Sequence, residues 1–295
     1  MVHPITWLHF FVCRNRFFLH TLFFKRKIVK YNELRRELDR SNIEGSDLDW
    51  AFCEVLGLKR SQLASEIDIS KKQERQIRTY AKKLVQGVPL SQVLGYSEFM
   101  GLKVLVNRDV LSPRSETEEL ADMLVREVNS NPKPNKAVLD LCTGSGAIAM
   151  AVKAHTNAEV TASDVSTRAL KVAKKNIKAQ KLNITLVKSD MLADVWGLFD
   201  YIVCNPPYIA FGDKAVDESV ERFEPHLALY ADDGGYKYYK ILAKEAKYYL
   251  HRGGKIFLEV GINMAQKVAE LFSGYHHVEI KKDMQGIERF VIISK

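Results

Sequence analysis

Residues 203–210 read VCNPPYIA: an apolar run stops against Asn205, Pro206, Pro207 and Tyr208. Two consecutive prolines have no N–H to give to a sheet, so the run must end there in a stiff turn. Pro207 holds Pro206 extended, which leaves the Pro206 carbonyl free of sheet pairing. Together with the side-chain carbonyl of Asn205 it makes two acceptors on a rigid frame, and two acceptors match the two N–H bonds of one planar NH2 group. The nitrogen of an amide or aromatic amine is a poor nucleophile because its lone pair is delocalised. Accepting both of its hydrogens turns the lone-pair face towards an electrophilic methyl group, and Tyr208 can stack on the flat substrate or on a cationic sulfonium. The alternative for the same residues is a structural Pro-Pro turn with a buried tyrosine.

A second constellation lies upstream, in AVLDLCTGSGAIAMAV. Asp140 falls near the end of an apolar strand, Gly144 and Gly146 fall in the turn after it, and a run of small residues then begins a helix. Glycines at such a turn let the backbone bend sharply and approach a ligand. Asp164, 18 residues past Gly146, closes a second strand and is placed to accept hydrogen bonds from ribose hydroxyls. Asp190 closes a third and could border an adenine. Each aspartate alone reads equally as a helix cap. Three at the carboxyl ends of consecutive strands describe a crevice for an adenosine nucleoside, with dinucleotides not yet separated from other adenosine cofactors.

The elements that position these residues follow from hydrophobic period. From residue 137 strands alternate with helices, as a parallel sheet covered on both faces requires. HHVEIKKDM and ERFVIIS are separated only by Gln285-Gly286-Ile287, too short for a crossover, so these last two strands must pair antiparallel. The expected fold is α/β: a seven-stranded, Rossmann-like sheet of the class I methyltransferase type with a terminal antiparallel hairpin. Before it, Leu34, Leu38, Leu48, Phe52 and their neighbours recur at helical spacing and Gly57 ends a helix, which predicts a small helical domain. Phe99, Leu102, Val104 and Val106 alternate about Gly101, as in a β-hairpin linking the two. Ser115 and Glu118 have the spacing of a capping box at the start of the next helix.

Composition narrows the function classes. The net charge of +8 suggests nucleic acid, but residues 1–32 hold six basic residues and no acid, so the rest is close to balanced. Cys13, Cys53, Cys142 and Cys204 show no paired spacing, which fits a reducing, cytoplasmic setting and excludes a cysteine-held metal. Residues 5–24 are rich in Phe and Leu, yet Arg14 and Arg16 stand in their middle, so no membrane span is expected. The first 28 residues read as a basic tail or an upstream start, with organellar targeting as the other reading.

Across residues 30–295 the chain resembles the HemK/PrmC family, the release factor glutamine methyltransferases. GVPLSQVLGYSEFMGL, LSPRSETEEL, DLCTGSGAIA, NPPY, FEPHLALYADDGG and DMQGIERFV carry the resemblance together. It implies an enzyme that transfers a methyl group from S-adenosylmethionine to the glutamine of the Gly-Gly-Gln loop of peptide chain release factors. It also implies that Cys142, Thr143, Gly144, Ser145, Gly146 and Asp164 bind the cofactor with Asp140 and Asn205, and that Asp190 and Met191 flank its adenine. Asn205, Pro206, Pro207 and Tyr208 then hold the glutamine, and Arg114, Glu116 and Thr117 line the site. The implied organisation is an extension (1–28), a helical substrate-docking domain (29–95), a hairpin linker (96–110) and a methyltransferase domain (111–295). Ser115 stands where the family's Pro-Arg-Pro has proline, and Ile287-Glu288-Arg289 where it has Arg-Asp-Arg; both bear on docking rather than on transfer.

Two other functions share these motifs. A DNA or RNA amino methyltransferase would use the same Asn-Pro-Pro-Tyr, but the balanced charge of residues 33–295 and the lack of a basic, aromatic recognition domain speak against it. A non-catalytic nucleoside-binding module has no use for both halves of the pocket. The expected working form is a cytoplasmic monomer whose partner is a release factor, with no stable nucleic acid, membrane or metal.

Overall fold

Strand-forming runs that are apolar at every position can be satisfied only if both faces of their sheet are covered. A computed structural model describes residues 28–41, 43–64, 66–213 and 216–295; residues 1–27 of the basic extension lie outside them. The chain divides into two compact units, at Val85 and Gln86.

In the first unit, helices Tyr31–Asp39, Gly45–Leu56 and Lys71–Val85 bury Leu34, Leu38, Leu48, Phe52, Ile77 and Ala81 against one another. Gly57, with φ of 67°, ends the second helix as expected. The period missed one feature: Val29–Lys30 pairs antiparallel with Asp68–Ile69, a two-stranded ribbon that places Ile69 in this core. Two-residue strands carry no readable alternation.

The second unit is built on seven strands: β1 (Ala137–Leu141), β2 (Glu159–Asp164), β3 (Thr185–Lys188), β4 (Phe199–Cys204), β5 (Leu250–Glu259), β6 (His277–Lys282) and β7 (Glu288–Ser294). Their order across the sheet is β6-β7-β5-β4-β1-β2-β3. Strands β1 to β5 are parallel, while β7 runs antiparallel to both β5 and β6. Every residue of β4 is buried. Tyr201 and Val203 face a core with Leu120, Leu124 and Phe257. Ile202 and Cys204 face a second core with Tyr239, Leu242 and Phe272. This alternation puts a different helical layer on each face of the sheet.

Helices α1 (Ser115–Ser130), α2 (Ala147–His155), α3 (Thr167–Ala179), α4 (Lys237–Glu245) and α5 (Ala265–Leu271) supply those layers. The hairpin Tyr96–Phe99 and Leu102–Leu105 belongs to this unit. The fully buried Asn176 of α3 pins it: its Oδ1 accepts from the Leu105 N–H at 2.7 Å, and its Nδ2 donates to the carbonyls of Leu105 and Ser145, each at 2.9 Å.

The capping box is not formed. Arg114 is the cap residue and makes no side-chain cap bond. Ser115 Oγ donates to Glu116 at 3.0 Å, and the Glu118 carboxylate accepts from the Met100 N–H at 2.7 Å. A long-range partner at the hairpin turn takes the carboxylate that a local rule assigns to the helix end.

Candidate functional site

The reversal of strand order between β1 and β4 opens a crevice at their carboxyl ends, the usual place for a ligand in an open parallel sheet. The turn after β1 passes through the left-handed region at Cys142 (φ 58°), Gly144 (φ 55°) and Gly146 (φ 84°). At Gly146 a Cβ would stand 3.3 Å from the Ala173 Cβ, so two small residues let the start of α2 lie close on α3. Two aspartates brace this turn. Asp140, 1 % exposed, accepts from Thr143 Oγ1 at 2.6 Å and from the Ala149 N–H at 3.0 Å through one oxygen. Its other oxygen is buried without a partner, and burial pushes its pKa up to about 7. Asp164 accepts from the Gly144 N–H at 2.9 Å through one oxygen and from the Ser166 N–H at 2.8 Å through the other. Burial raises its pKa as well, against these two hydrogen bonds.

A cavity of about 630 Å3 fills the crevice. Of the residues expected at the site, Cys142, Gly144, Asp164, Asp190, Met191, Asn205 and Pro207 line it. Asp140 stands behind the turn and shapes it from below; Thr143 and Ser145 are buried beside it, and Gly146 sits at the helix junction. Asp190 and Met191 come two and three residues after β3 ends at Lys188, in the following turn rather than in the strand. A size within the range of cofactor sites, the exposed carboxylate of Asp190, the Asp164 carboxylate and the open turn fit an adenosine cofactor.

Asn205 follows β4 directly, and its surroundings give the amide a direction. Its Nδ2 donates to Thr117 Oγ1 at 3.0 Å, and that hydroxyl donates to Glu259 Oε2 at 2.7 Å. The donor end of the Asn205 amide is thereby committed to protein, which leaves its carbonyl end for an incoming group. Pro206 and Pro207 are buried, and Tyr208 is half-buried with its hydroxyl pKa pushed up to about 12 by burial. Gly235, with φ of 90°, fits under this turn because a Cβ there would lie 2.1 Å from the Tyr208 carbonyl oxygen. Gly235, the second glycine of YADDGG, is thus the floor of the NPPY turn.

Arg114 and Thr117 reach the site in different ways. Thr117 touches Asn205. Arg114 donates at 2.8 Å to the buried Glu224, which lines the cavity and also accepts from the Ser112 N–H at 3.3 Å. Glu116 acts on Tyr208 and Glu259 through its charge. Sequence reasoning missed Glu224 and Glu259. Glu259 ends β5, and the rule that led to the aspartates, carboxylates at the ends of parallel strands, would have found it. Among the described residues no group of three or more His, Cys, Asp or Glu side chains could share a metal ion, and no helix is long and apolar enough to cross a membrane.

Comparison with known proteins agrees with this geometry. A family model described as the PrmC N-terminal domain matches residues 31–95, and one described as the methyltransferase small domain matches residues 103–228. The release factor glutamine methyltransferase of Streptococcus pneumoniae is 36% identical over 272 residues, which cover 90% of this chain and 96% of that one. That of Enterococcus faecalis is 34% identical over 276 residues, covering 91% and 99%. In the crystal structure of a methyltransferase from Pyrococcus furiosus the fold recurs with a TM-score of 0.50 and 21% identity, over 66% of this chain and 89% of that one. With relatives this similar along nearly their whole length, the chain belongs to the release factor glutamine methyltransferases.

Proposed function

We propose that this protein transfers a methyl group from S-adenosylmethionine to the side-chain amide nitrogen, N5, of the glutamine in the Gly-Gly-Gln loop of a peptide chain release factor. The direction of the Asn205 amide carries the reading. With Nδ2 held by Thr117, the Asn205 carbonyl and the Pro206 carbonyl are the two acceptors that one glutamine NH2 needs. The names of relatives that match nearly end to end support the substrate class.

The residues present fit the cofactor. The turn Cys142–Gly146 would approach it with backbone. Asp164 retains acceptor capacity for ribose hydroxyls beyond its two backbone bonds, and Asp190 and Met191, which line the cavity, would border the base. When bound, S-adenosylmethionine supplies an electrophilic methyl group and leaves as a neutral thioether. Asn205 and Pro206 fix the amide plane and draw its N–H bonds towards oxygen as the nitrogen gains positive character, an interaction that strengthens towards the transition state. The NPPY turn is rigid and backed by Gly235, so this placement needs no reorganisation during the reaction.

The test is to offer labelled S-adenosylmethionine with separate pools of release factor, DNA and RNA. Label is expected in the release factor, on its Gly-Gly-Gln glutamine. Asn205→Ala should lower the single-turnover rate by roughly a hundredfold or more, as loss of one preorganised group does, with little change in cofactor affinity. Label confined to nucleic acid, or an unaltered rate in Asn205→Ala, would overturn the reading.

A further inference from the structure

We infer that Glu259 is a positioning residue for methyl transfer: as an acceptor-only group behind Thr117, it sets the polarity of the hydrogen-bond chain so that Asn205 presents its carbonyl, not its NH2, to the substrate amide. The inference rests on the proposed amide methyl transfer and extends it to a side chain that does not line the cavity.

The chain of contacts has two possible directions. In the observed one, Asn205 Nδ2 donates to Thr117 Oγ1 at 3.0 Å, Thr117 Oγ1 donates to Glu259 Oε2 at 2.7 Å, and the Asn205 amide also hydrogen-bonds to the Glu259 carboxylate itself. In the reversed one the group at position 259 donates to Thr117, the Thr117 hydroxyl donates to the Asn205 carbonyl, and the NH2 of Asn205 faces the site. A glutamine NH2 would then meet a donor instead of an acceptor. A threonine hydroxyl serves either direction and an asparagine amide can turn over, so only the last member decides. An ionised carboxylate cannot donate, and it closes off the reversed chain.

Burial makes this choice of residue informative. Glu259 is 3 % exposed, and a carboxylate in such a place costs more than an amide of the same shape unless its charge or its acceptor-only nature is used. It is held in place from several sides. Its backbone carbonyl accepts from the fully buried Tyr239 hydroxyl of α4 at 2.9 Å, and it pairs with Phe290 across β5 and β7. The groups facing the carboxylate are Thr117 and Glu116 of α1, Arg289 of β7, and Asn205 and Tyr208 of the NPPY turn. Burial and the Glu116 charge favour the protonated form; the Thr117 hydroxyl, Arg289 and the Asn205 amide favour the ionised one, and the balance lies at about 7. Protonation turns Glu259 into a donor and admits the reversed chain, so transfer should fade as pH falls through that value.

The experiment measures single-turnover methylation of a release factor from pH 5.5 to 9 with saturating S-adenosylmethionine, which takes cofactor affinity out of the readout. Wild type should show an acid limb centred near neutrality. Glu259→Gln, which can donate, should lose at least tenfold at pH 8 and show no acid limb, with the cofactor Kd within threefold of wild type. Thr117→Val removes the relay hydroxyl and should lose as much; Thr117→Ser restores it and should return the rate to within threefold. The Thr117 pair decides the matter if Glu259→Gln does not fold. A wild-type rate in Glu259→Gln, an acid limb that survives in it, or a Thr117→Ser rate as low as that of Thr117→Val would overturn the inference. Absence of label on the release factor with wild-type enzyme would instead overturn the proposed function, so the two failures are distinguishable.

Discussion

Asp164 illustrates how a single carboxylate can serve the fold and the ligand at once. Both of its oxygens hold backbone N–H groups, those of Gly144 and Ser166, so it shapes the turn that lines the cavity. Asp164→Ala should therefore weaken S-adenosylmethionine binding by about 1.5–3 kcal/mol, the scale for hydrogen bonds to a charged group. Asp164→Asn should do little better, because its NH2 must face one of the two backbone donors. Calorimetry that finds unchanged affinity in either variant would remove Asp164 from the binding site. At this scale the legible residues were those with local signatures: the Asp-x-x-x-Gly-x-Gly turn, the aspartates at strand ends, and NPPY. Glu224 was not read, since its partner Ser112 lies 112 residues away and no spacing rule reaches that far; Glu259 was overlooked although it ends a parallel strand as the aspartates do.

The NPPY turn works as a rigid element because the chain beneath it is glycine. Gly234 and Gly235 separate two reasons for that residue. Both have positive φ, but a Cβ at Gly234 meets nothing within 4 Å, whereas one at Gly235 lies 2.1 Å from the Tyr208 carbonyl oxygen. Gly234→Ala should cost about 1–2 kcal/mol in unfolding free energy, the penalty of the left-handed conformation alone, and leave methyl transfer near its normal rate. Gly235→Ala should cost more and also slow transfer, since the turn must shift to relieve the clash. Urea unfolding and single-turnover rates measure the pair; equal effects of the two would mean that the turn is not set from below. Among the elements, the αβ rhythm and the antiparallel end were legible because long periodic runs and a connection too short for a crossover, residues 283–287 in the structure, leave few alternatives. The capping box failed where a tertiary contact competed for Glu118, and the ribbon at Val29–Lys30 was too short to show a period.

Taken as a whole, the molecule stores two acids, Asp140 and Glu259, in surroundings that push each pKa up to about 7. Unfolded, such groups titrate near 4, so between about pH 4 and 7 the folded state holds protons that the unfolded state has released. Stability from this source is fully present at the acid end of that window, declines as pH rises, and levels off above about 7. The slope is at most about 1.4 kcal/mol per pH unit for each group. Urea midpoints from pH 5 to 8 should show the difference between wild type and Glu259→Gln changing steadily up to pH 7 and then flattening; a constant difference would mean that Glu259 is ionised throughout. The order of the sheet has a further consequence during protein synthesis. β7 is translated after β6, yet it lies between β6 and β5. Until it emerges from the ribosome, β5 has no neighbour on that side, and Ile256, Phe257 and Leu258 belong to an open edge that can pair with other nascent chains. A chain cut after Lys282, which lacks β7, would keep that edge open, so it is expected to give a lower soluble yield than the full chain.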